Sequence, residues 1–586
     1  MTTLEHDQAA GTLPIPEGDH PYPGTPREEL DAALDVLSDR ARAWTEVGLE
    51  RRLELIRELV DDTLVAAPEW CIRAAEARGV ARDSPLMSEE WGYGVLPLVR
   101  CLKGFERTLE DIRRTGRPQP PSLEVAPNGQ VVARVYPTDW VDRVVFAGFT
   151  AEARLQPGVT LDQARAAMGR IYRPGHVSEP GVTVVLGAGN VAGIAPTDAL
   201  HHLFALDRVV LLKLNPVNEY MGPHLAEAFQ ALIREGFLRI AYGGEDTGAY
   251  LTEHDKVTAI HVTGSDKTHD AIVFGTGEQG ARRKAAGEPR NHRELTSELG
   301  NVTPVIVVPG PWSDGDLAFH GESIASMLVQ NAGFNCVAAR MIVQHRAWSK
   351  RRALLDAVRA SLRAAEPRLA FYPGSRDRWE LFVETHRTAE WFSEPRDGEV
   401  PFTLIPDIDP EARDDITCRT EAFCGVMSEV GLDAPRSVPE YLDAAVRYCN
   451  ETLWGTLAVT IIVHPRSLAD PMVADAVERA VADLRYGTVA INQWSGVSFA
   501  LMTTPWGAYP GSDPTDIQSG RGFVHNTFLL EDVEKAVMRA PFRIVPKPLW
   551  FHTHRTQATE AALASRLVAT RDPRLLPALA WAAGRG

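Results

Sequence analysis

Residues 181–214 read GVTVVLGAGNVAGIAPTDALHHLFALDRVVLLKL. GVTVVLG and VVLLKL (209–214) are apolar runs without alternation, as expected of strands buried on both faces. Residues Pro196–Asp207 between them read as a helix. A strand, a helix and a second strand in this order specify a parallel pair with a crossover helix.

The rhythm continues outward from this unit. A helix over 221–236 is followed by the strand LRIAYGG and then AIHVTG (259–264), with a new helix starting at Ser265. Beyond residue 300, TPVIVVPG and RMIVQ flank a helix over 315–332. LAVTIIVHP (457–465), a helix over 468–486 and GTVAINQ (487–493) form a further α/β block. Upstream, the spacing predicts helices from Arg27 to about Gly79 and over 83–116, then a strand at Val131–Tyr136. Residues 1–28 hold five prolines and read as a mobile tail. IVPKPLWF (544–551) reads as a late strand that its prolines confine to an edge.

Composition narrows the function classes. The chain has 586 residues, 44% hydrophobic and 24% charged, with a net charge of −17. These values exclude a collagen-like, coiled-coil or wholly disordered protein, and the negative field disfavours nucleic acid as a partner. Six cysteines without a C-x-x-C pair give neither a disulfide framework nor a zinc-finger or thioredoxin-type site, so no metal is assigned. The N-terminus lacks the basic and apolar regions of a secretory signal. No apolar run approaches the ~18–20 residues of a membrane span, and a cytoplasmic location is the expectation.

Five places carry side chains suited to chemistry. Cys336 lies in a small-residue loop, Asn331-Ala-Gly-Phe-Asn-Cys336, where a thiolate has room to attack a substrate; a buried structural cysteine is the plain alternative. Glu298, in Thr-Ser-Glu298-Leu-Gly300, ends a strand where α/β folds place catalytic groups. Burial there would raise its pKa and suit it to general-base work. His261-Val-Thr-Gly264-Ser265 runs from strand to helix and offers free N–H groups to a phosphate. Lys213 ends the strand VVLLKL, within reach of ribose or phosphate. Glu421-Ala-Phe423 pairs a carboxylate acceptor with an aromatic ring. Gly187-Ala-Gly189-Asn-Val-Ala-Gly193 is one residue too long for the dinucleotide fingerprint.

The order of these motifs, from Lys213 through VTGS (262–265), ELG (298–300), NAGFNC (331–336), EAF (421–423) and INQ (491–493) to PWGAYPGS (505–512), resembles the aldehyde dehydrogenase superfamily. The resemblance covers about residues 181–512 and marks a divergent member. It implies an α/β fold with a Rossmann-type cofactor domain, an α/β catalytic domain and a small bridging or oligomerisation arm. It assigns residues 29–330 mainly to the cofactor domain, with a bridging strand near 131–136 and insertions at 141–180 and 275–292. Residues 331–485 become the catalytic domain, 486–543 return to the cofactor domain, and 544–586 hold an oligomerisation strand and a C-terminal extension. The insertion 275–292 reads as a solvated loop.

The resemblance also implies roles. Cys336 is the nucleophile toward a small-molecule aldehyde, and Glu298 is the base that hydrolyses the thioester. Lys213 and Glu421 hold the ribose hydroxyls of NAD or NADP, Phe423 lies beside the nicotinamide, and Gly264 and Ser265 open the helix facing the pyrophosphate. A homodimer or homotetramer is implied. Asp198 stands where the family has an oxyanion-donating Asn, and an ionised Asp cannot donate. Lys213-Leu-Asn215-Pro216 lacks the acidic residue that selects NAD, so both cofactors stay open. An acyl-CoA-forming reductase that uses coenzyme A, and a non-catalytic nucleotide-binding descendant, are the competing readings.

Overall fold

A computed structural model describes residues 10–18, 22–435 and 437–586. Two sheets organise it. The smaller has six strands in the order Gly520–Arg521, Glu294–Glu298, Ala259–Thr263, Val182–Leu186, Val209–Lys213 and Leu238–Ala241. All its pairings are parallel except the first. Leu186 is in register with both Lys213 and Val262, and Thr263 with Glu298. Lys213, Thr263 and Glu298 therefore share the carboxyl edge of one sheet, where open α/β sheets bind their ligands. The strands Val182–Leu186 and Val209–Lys213 are buried along nearly their whole length, which explains their unbroken apolar sequence.

The larger sheet has eleven strands: Glu390–Trp391, Thr403–Ile408, Val426–Leu432, Met341–His345, Pro304–Val307, Ala458–Ile462, Thr488–Ile491, Val533–Arg539, Thr150–Leu155, Val131–Tyr136 and Ser122–Val125. It is parallel from Thr403–Ile408 to Val533–Arg539 and antiparallel outside that span. Cys336 sits in the connection that feeds its strand Met341–His345.

Long helices pack around the smaller sheet, Arg27–Thr45 directly on its strands. Arg27–Thr45 and Leu49–Ala77 bury stripes that include Leu30, Leu34, Leu37, Trp44, Leu53, Ile56, Leu59 and Trp70. Each such side chain contributes roughly 1.5–3 kcal/mol of hydrophobic stabilisation. Polar contacts fix their register: Trp44 Nε1 donates to the Leu203 carbonyl at 3.2 Å, and buried Arg52 pairs with Asp207 at 2.5 Å.

Several expectations drawn from the sequence need correction. Residues 10–18 of the proline-rich tail are placed, and Gly11–Thr12 pair in parallel with Thr420–Glu421; residues 1–9 and 19–21 of that reading lie outside the described residues. The boundary at 331 does not match the sheets, because Pro304–Val307 belongs to the larger one. Likewise, within 486–543 the strands Thr488–Ile491 and Val533–Arg539 join the larger sheet, and only Gly520–Arg521 joins the smaller. The segment 275–292 is not a loop throughout: Gly277–Ala286 is a helix closed by left-handed Gly287. Residues 141–180 contribute Thr150–Leu155 to the larger sheet. No strand forms in 544–551, where prolines 546 and 548 interrupt the run. The extension instead forms helices Gln557–Thr570 and Leu576–Ala583, the first packed on helix Leu96–Thr115. Among the described residues no helix is long and apolar enough to cross a membrane.

Candidate active site

Cys336 is positioned by a strained turn. Helix Asp314–Val329 ends in Gln330–Gly333, where Asn331 (φ 54°), Ala332 (φ 55°) and Gly333 (φ 84°) all adopt left-handed backbone. Only glycine fits at 333, because an added Cβ would lie 2.7 Å from the Cys424 carbonyl oxygen. Such a turn persists where its surroundings over-determine it. The Asn331 amide donates to the carbonyls of Asn190 (2.8 Å) and Phe334 (3.0 Å), and the Asn331 N–H donates to buried Glu89 at 2.8 Å. Glu89 is held in turn by both Arg368 nitrogens at 3.0 and 2.8 Å. Arg340 donates to the carbonyls of Gly333, Asn335, Cys424 and Val426. Thr303 Oγ1 and Trp494 Nε1 bind the carbonyls of Cys336 and Val337 at 2.9 and 2.7 Å. Trp494 thereby braces the loop that carries Cys336.

The structure brings Cys336 and Glu298 together: Sγ donates toward Oε1 across 3.5 Å. Glu298 is buried, and its Oε2 has no hydrogen-bond partner among the described residues. Burial, reinforced by the negative charge of Asp198, raises its pKa to about 7. Burial, then the carboxylates of Glu298 and Glu421, push the Cys336 thiol well above its usual range. The resting thiol is therefore neutral, with a proton acceptor in contact that is half-ionised near neutrality.

Asp198 lies fully buried behind Glu298. Its Oδ2 accepts from Thr263 Oγ1 at 2.9 Å and lies 3.4 Å from His261 Nε2, while its Oδ1 lies 3.4 Å from His525 Nε2. Burial alone would favour the neutral acid, but the two imidazoles hold it well below the usual carboxylate range. Asp198 is thus an ionised acceptor with no proton to offer an oxyanion. Its helix neighbours His201 and His202 are pushed down by burial and by adjacent imidazoles, His201 to about 3, so both are neutral. The sequence reading quoted His261 but gave it no role, and it missed His525. No motif marks His525, whose left-handed backbone (φ 56°) in Phe-Val-His-Asn has no local signal.

The residues assigned to the cofactor gather at the same sheet edge. Lys213 is buried to 8% exposure, which lowers its pKa to about 8 against the opposing pull of Glu219, Glu17 and Glu245. Ser265 caps helix Asp266–Val273 by accepting from the Thr268 N–H at 3.1 Å, and Gly264 is exposed. Glu421 is buried with its pKa raised by burial to about 7, and its Oε1 has no hydrogen-bond partner among the described residues. Phe423 (φ 41°) packs in an aromatic cluster, 6.1 Å from the Phe334 ring and 5.0 Å from Tyr372. A lysine, an exposed glycine ahead of a capped helix start and a buried carboxylate with a spare acceptor suit the hydroxyls and phosphates of a dinucleotide. Among the described residues no group of three or more His, Cys, Asp or Glu is placed to hold a metal ion.

The site thus joins a thiol in contact with a buried carboxylate to a parallel-sheet edge whose groups suit a dinucleotide. Residues 151–370 match the model of the aldehyde dehydrogenase family. The 4-trimethylaminobutyraldehyde dehydrogenase of Oryzias latipes is 26% identical over 362 residues, which span 56% of this chain and 62% of that protein. The N-succinylglutamate 5-semialdehyde dehydrogenase of Sphingopyxis alaskensis is 25% identical over 43% of each chain. The chain thus spans at most about three fifths of these two relatives. In fold it is similar to the aldehyde dehydrogenase KauB of Pseudomonas aeruginosa (TM-score 0.60, 17% identity, covering 88% of this chain and 89% of the other). It is also similar to the glyceraldehyde-3-phosphate dehydrogenase GapN of Methanocaldococcus jannaschii, solved with NADP (TM-score 0.59, 15% identity, 92% and 100% covered). The chain is thus similar to aldehyde dehydrogenases in sequence over residues 151–370 and in fold along most of its length.

Proposed function

We propose that this chain oxidises an aldehyde to a carboxylic acid with NAD or NADP, through a thioester on Cys336. The observation that carries this reading is the 3.5 Å contact between Cys336 Sγ and Glu298 Oε1 in a buried site. Glu298 takes the thiol proton as sulfur adds to the aldehyde carbonyl, giving a thiohemiacetal. A nicotinamide dinucleotide held at the sheet edge would supply the hydride acceptor; once the hydride is lost and the proton on Glu298 has passed to solvent, Cys336 carries an acyl thioester. Glu298, ionised again, takes a proton from water as the water attacks the thioester, and the acid leaves as the thiol is restored. Lys213 and Glu421 hold ribose hydroxyls, Gly264 and Ser265 face the pyrophosphate, and Phe423 borders the nicotinamide. Asp198 does not donate to the oxyanion; it sets the field around Glu298.

In this reading the six-stranded sheet carries the cofactor and the larger sheet carries the thiol. The assembly is a homodimer or homotetramer, and the compartment is the cytoplasm. The contact with Glu298 favours water over coenzyme A as the acyl acceptor. Purified protein should form NADH or NADPH from an aldehyde panel without coenzyme A. A strict coenzyme A requirement would replace the hydrolytic reading, and no reduction under either condition would leave a nucleotide-binding descendant.

A further inference from the structure

The segment 10–18 crosses the residues assigned to the dinucleotide. Gly11 and Thr12 pair in parallel with Thr420 and Glu421. The Thr12 N–H donates to Asp266 Oδ1 at 3.0 Å, its hydroxyl donates to the same oxygen, and Asp266 opens the helix behind Ser265. Glu17 Oε1 accepts from the N–H of Glu245, the first residue of helix Glu245–Glu253, at 3.0 Å. Its carboxylate also lies within electrostatic reach of Lys213. Leu13 and Ile15 pack against the apolar cluster that Phe423 and Val217 also join. An added Cβ on Gly300 would lie 2.1 Å from Glu421 Oε2 and 2.7 Å from Thr12 Cγ2, so strap, carboxylate and Glu-Leu-Gly turn are in close contact.

We propose that residues 10–18 form an intrasteric strap that fills the dinucleotide cleft of the resting chain and must lift before NAD or NADP binds. The proposal rests on the dinucleotide reading of that cleft. The chemistry of the strap matches what it displaces. Glu17 brings an anionic oxygen to a helix N-terminus and within electrostatic reach of Lys213, as a phosphate would. Thr12 occupies Asp266 Oδ1 at the start of the helix that Ser265 caps. The attachment is also light: apart from Gly11–Thr12 the strap has no regular structure, and Pro14, Pro16 and Glu17 are exposed. Segments with few buried contacts belong to the low-stability end of a fold and open without global unfolding. A cofactor that binds only the open form has its apparent affinity reduced by the open fraction.

The test uses the full chain with Gly18→Cys and Pro373→Cys. A Cβ built on Gly18 lies 4.0 Å from the Pro373 Cβ, within the ~3.5–4.5 Å span of a disulfide. NAD and NADP are titrated calorimetrically against the oxidised and the dithiothreitol-reduced forms, with the parent chain treated identically as control for its own cysteines. A second full-length variant, Thr12→Val with Glu17→Gln, loosens the strap. The oxidised staple should bind at least about tenfold more weakly than its reduced form, and the loosened variant severalfold more tightly than the parent. In the parent chain, saturating dinucleotide should speed hydrogen exchange of the Thr12 amide. Equal affinities in all forms, or unchanged exchange at saturation, would overturn the strap while leaving the cofactor reading intact. If the reduced and loosened forms bind neither dinucleotide, the cofactor reading fails and the strap proposal fails with it.

Discussion

Asp198→Asn tests how the buried charges of the site are coupled. Glu298 has a pKa of about 7, raised first by burial and then by the Asp198 carboxylate. Thr263 links the two, since its hydroxyl donates to Asp198 and its backbone is in register with Glu298. Removing that like charge lowers the Glu298 pKa, because unit charges within ~10 Å at an effective dielectric constant of ~20 interact by more than about 1 kcal/mol. Because Glu298 must be ionised to act as a base, the acid limb of the steady-state rate should fall near pH 7 in the parent and move to lower pH in Asp198→Asn. The assay is NADH or NADPH formation across pH 5–9 at saturating substrates. An acid limb that stays in place, or moves to higher pH, would refute the coupling.

Three further outcomes follow from the same geometry. Glu298→Gln should stabilise the fold at alkaline pH. The folded-state pKa of about 7 lies above the ordinary value of 4.5, so the parent loses stability as pH rises between them, about 3 kcal/mol in all, and the loss is complete above pH 7. Thermal melts of parent and variant should coincide at pH 4 and separate at pH 8; coincidence at both would contradict it. Glu89→Gln strips the charge from a buried bidentate pair with Arg368 and weakens the brace on the Cys336 turn. Denaturant melts should register a loss of about 3–5 kcal/mol, and a loss below 1 kcal/mol would argue against the brace. Gly333→Ala forces a Cβ to within 2.7 Å of the Cys424 carbonyl at φ 84°, so activity should fall at least tenfold with Cys336 still present, and an undiminished rate would show the turn to be adaptable.

The parallel strands and crossover helices were legible because a strand buried on both faces must be apolar throughout, as VTVVL and VVLLK are. Lys213, Glu298 and Cys336 were legible because each closes a strand or fills a small-residue loop at a sheet edge. The field around Asp198 was not legible. Its partners His261 and His525 come from segments far apart in sequence, and their meeting depends on tertiary packing. The larger sheet was misdivided because its strand Pro304–Val307 precedes the thiol loop while its partner Met341–His345 follows it. The proline-rich N-terminus read as a tail because two paired residues, Gly11 and Thr12, are too few to leave a periodic signal. At 544–551 the apolar letters suggested a strand, but proline removes ladder donors, and the helices beyond it pack on Leu96–Thr115.

The central claim is that Cys336 carries the acyl group and Glu298 releases it. Glu298→Gln slows both loss of the thiol proton and release of the acyl group, so the variant, incubated at length with an aldehyde and NAD or NADP and then quenched in acid, should still accumulate up to one acyl group per chain. Peptide mapping by mass spectrometry should place it on Cys336, and the parent should show little or none. The other cysteines, at 71, 101, 418, 424 and 449, are buried and should stay unmodified. An acyl group on any of these, or none on Cys336 despite a burst of reduced dinucleotide, would contradict the account.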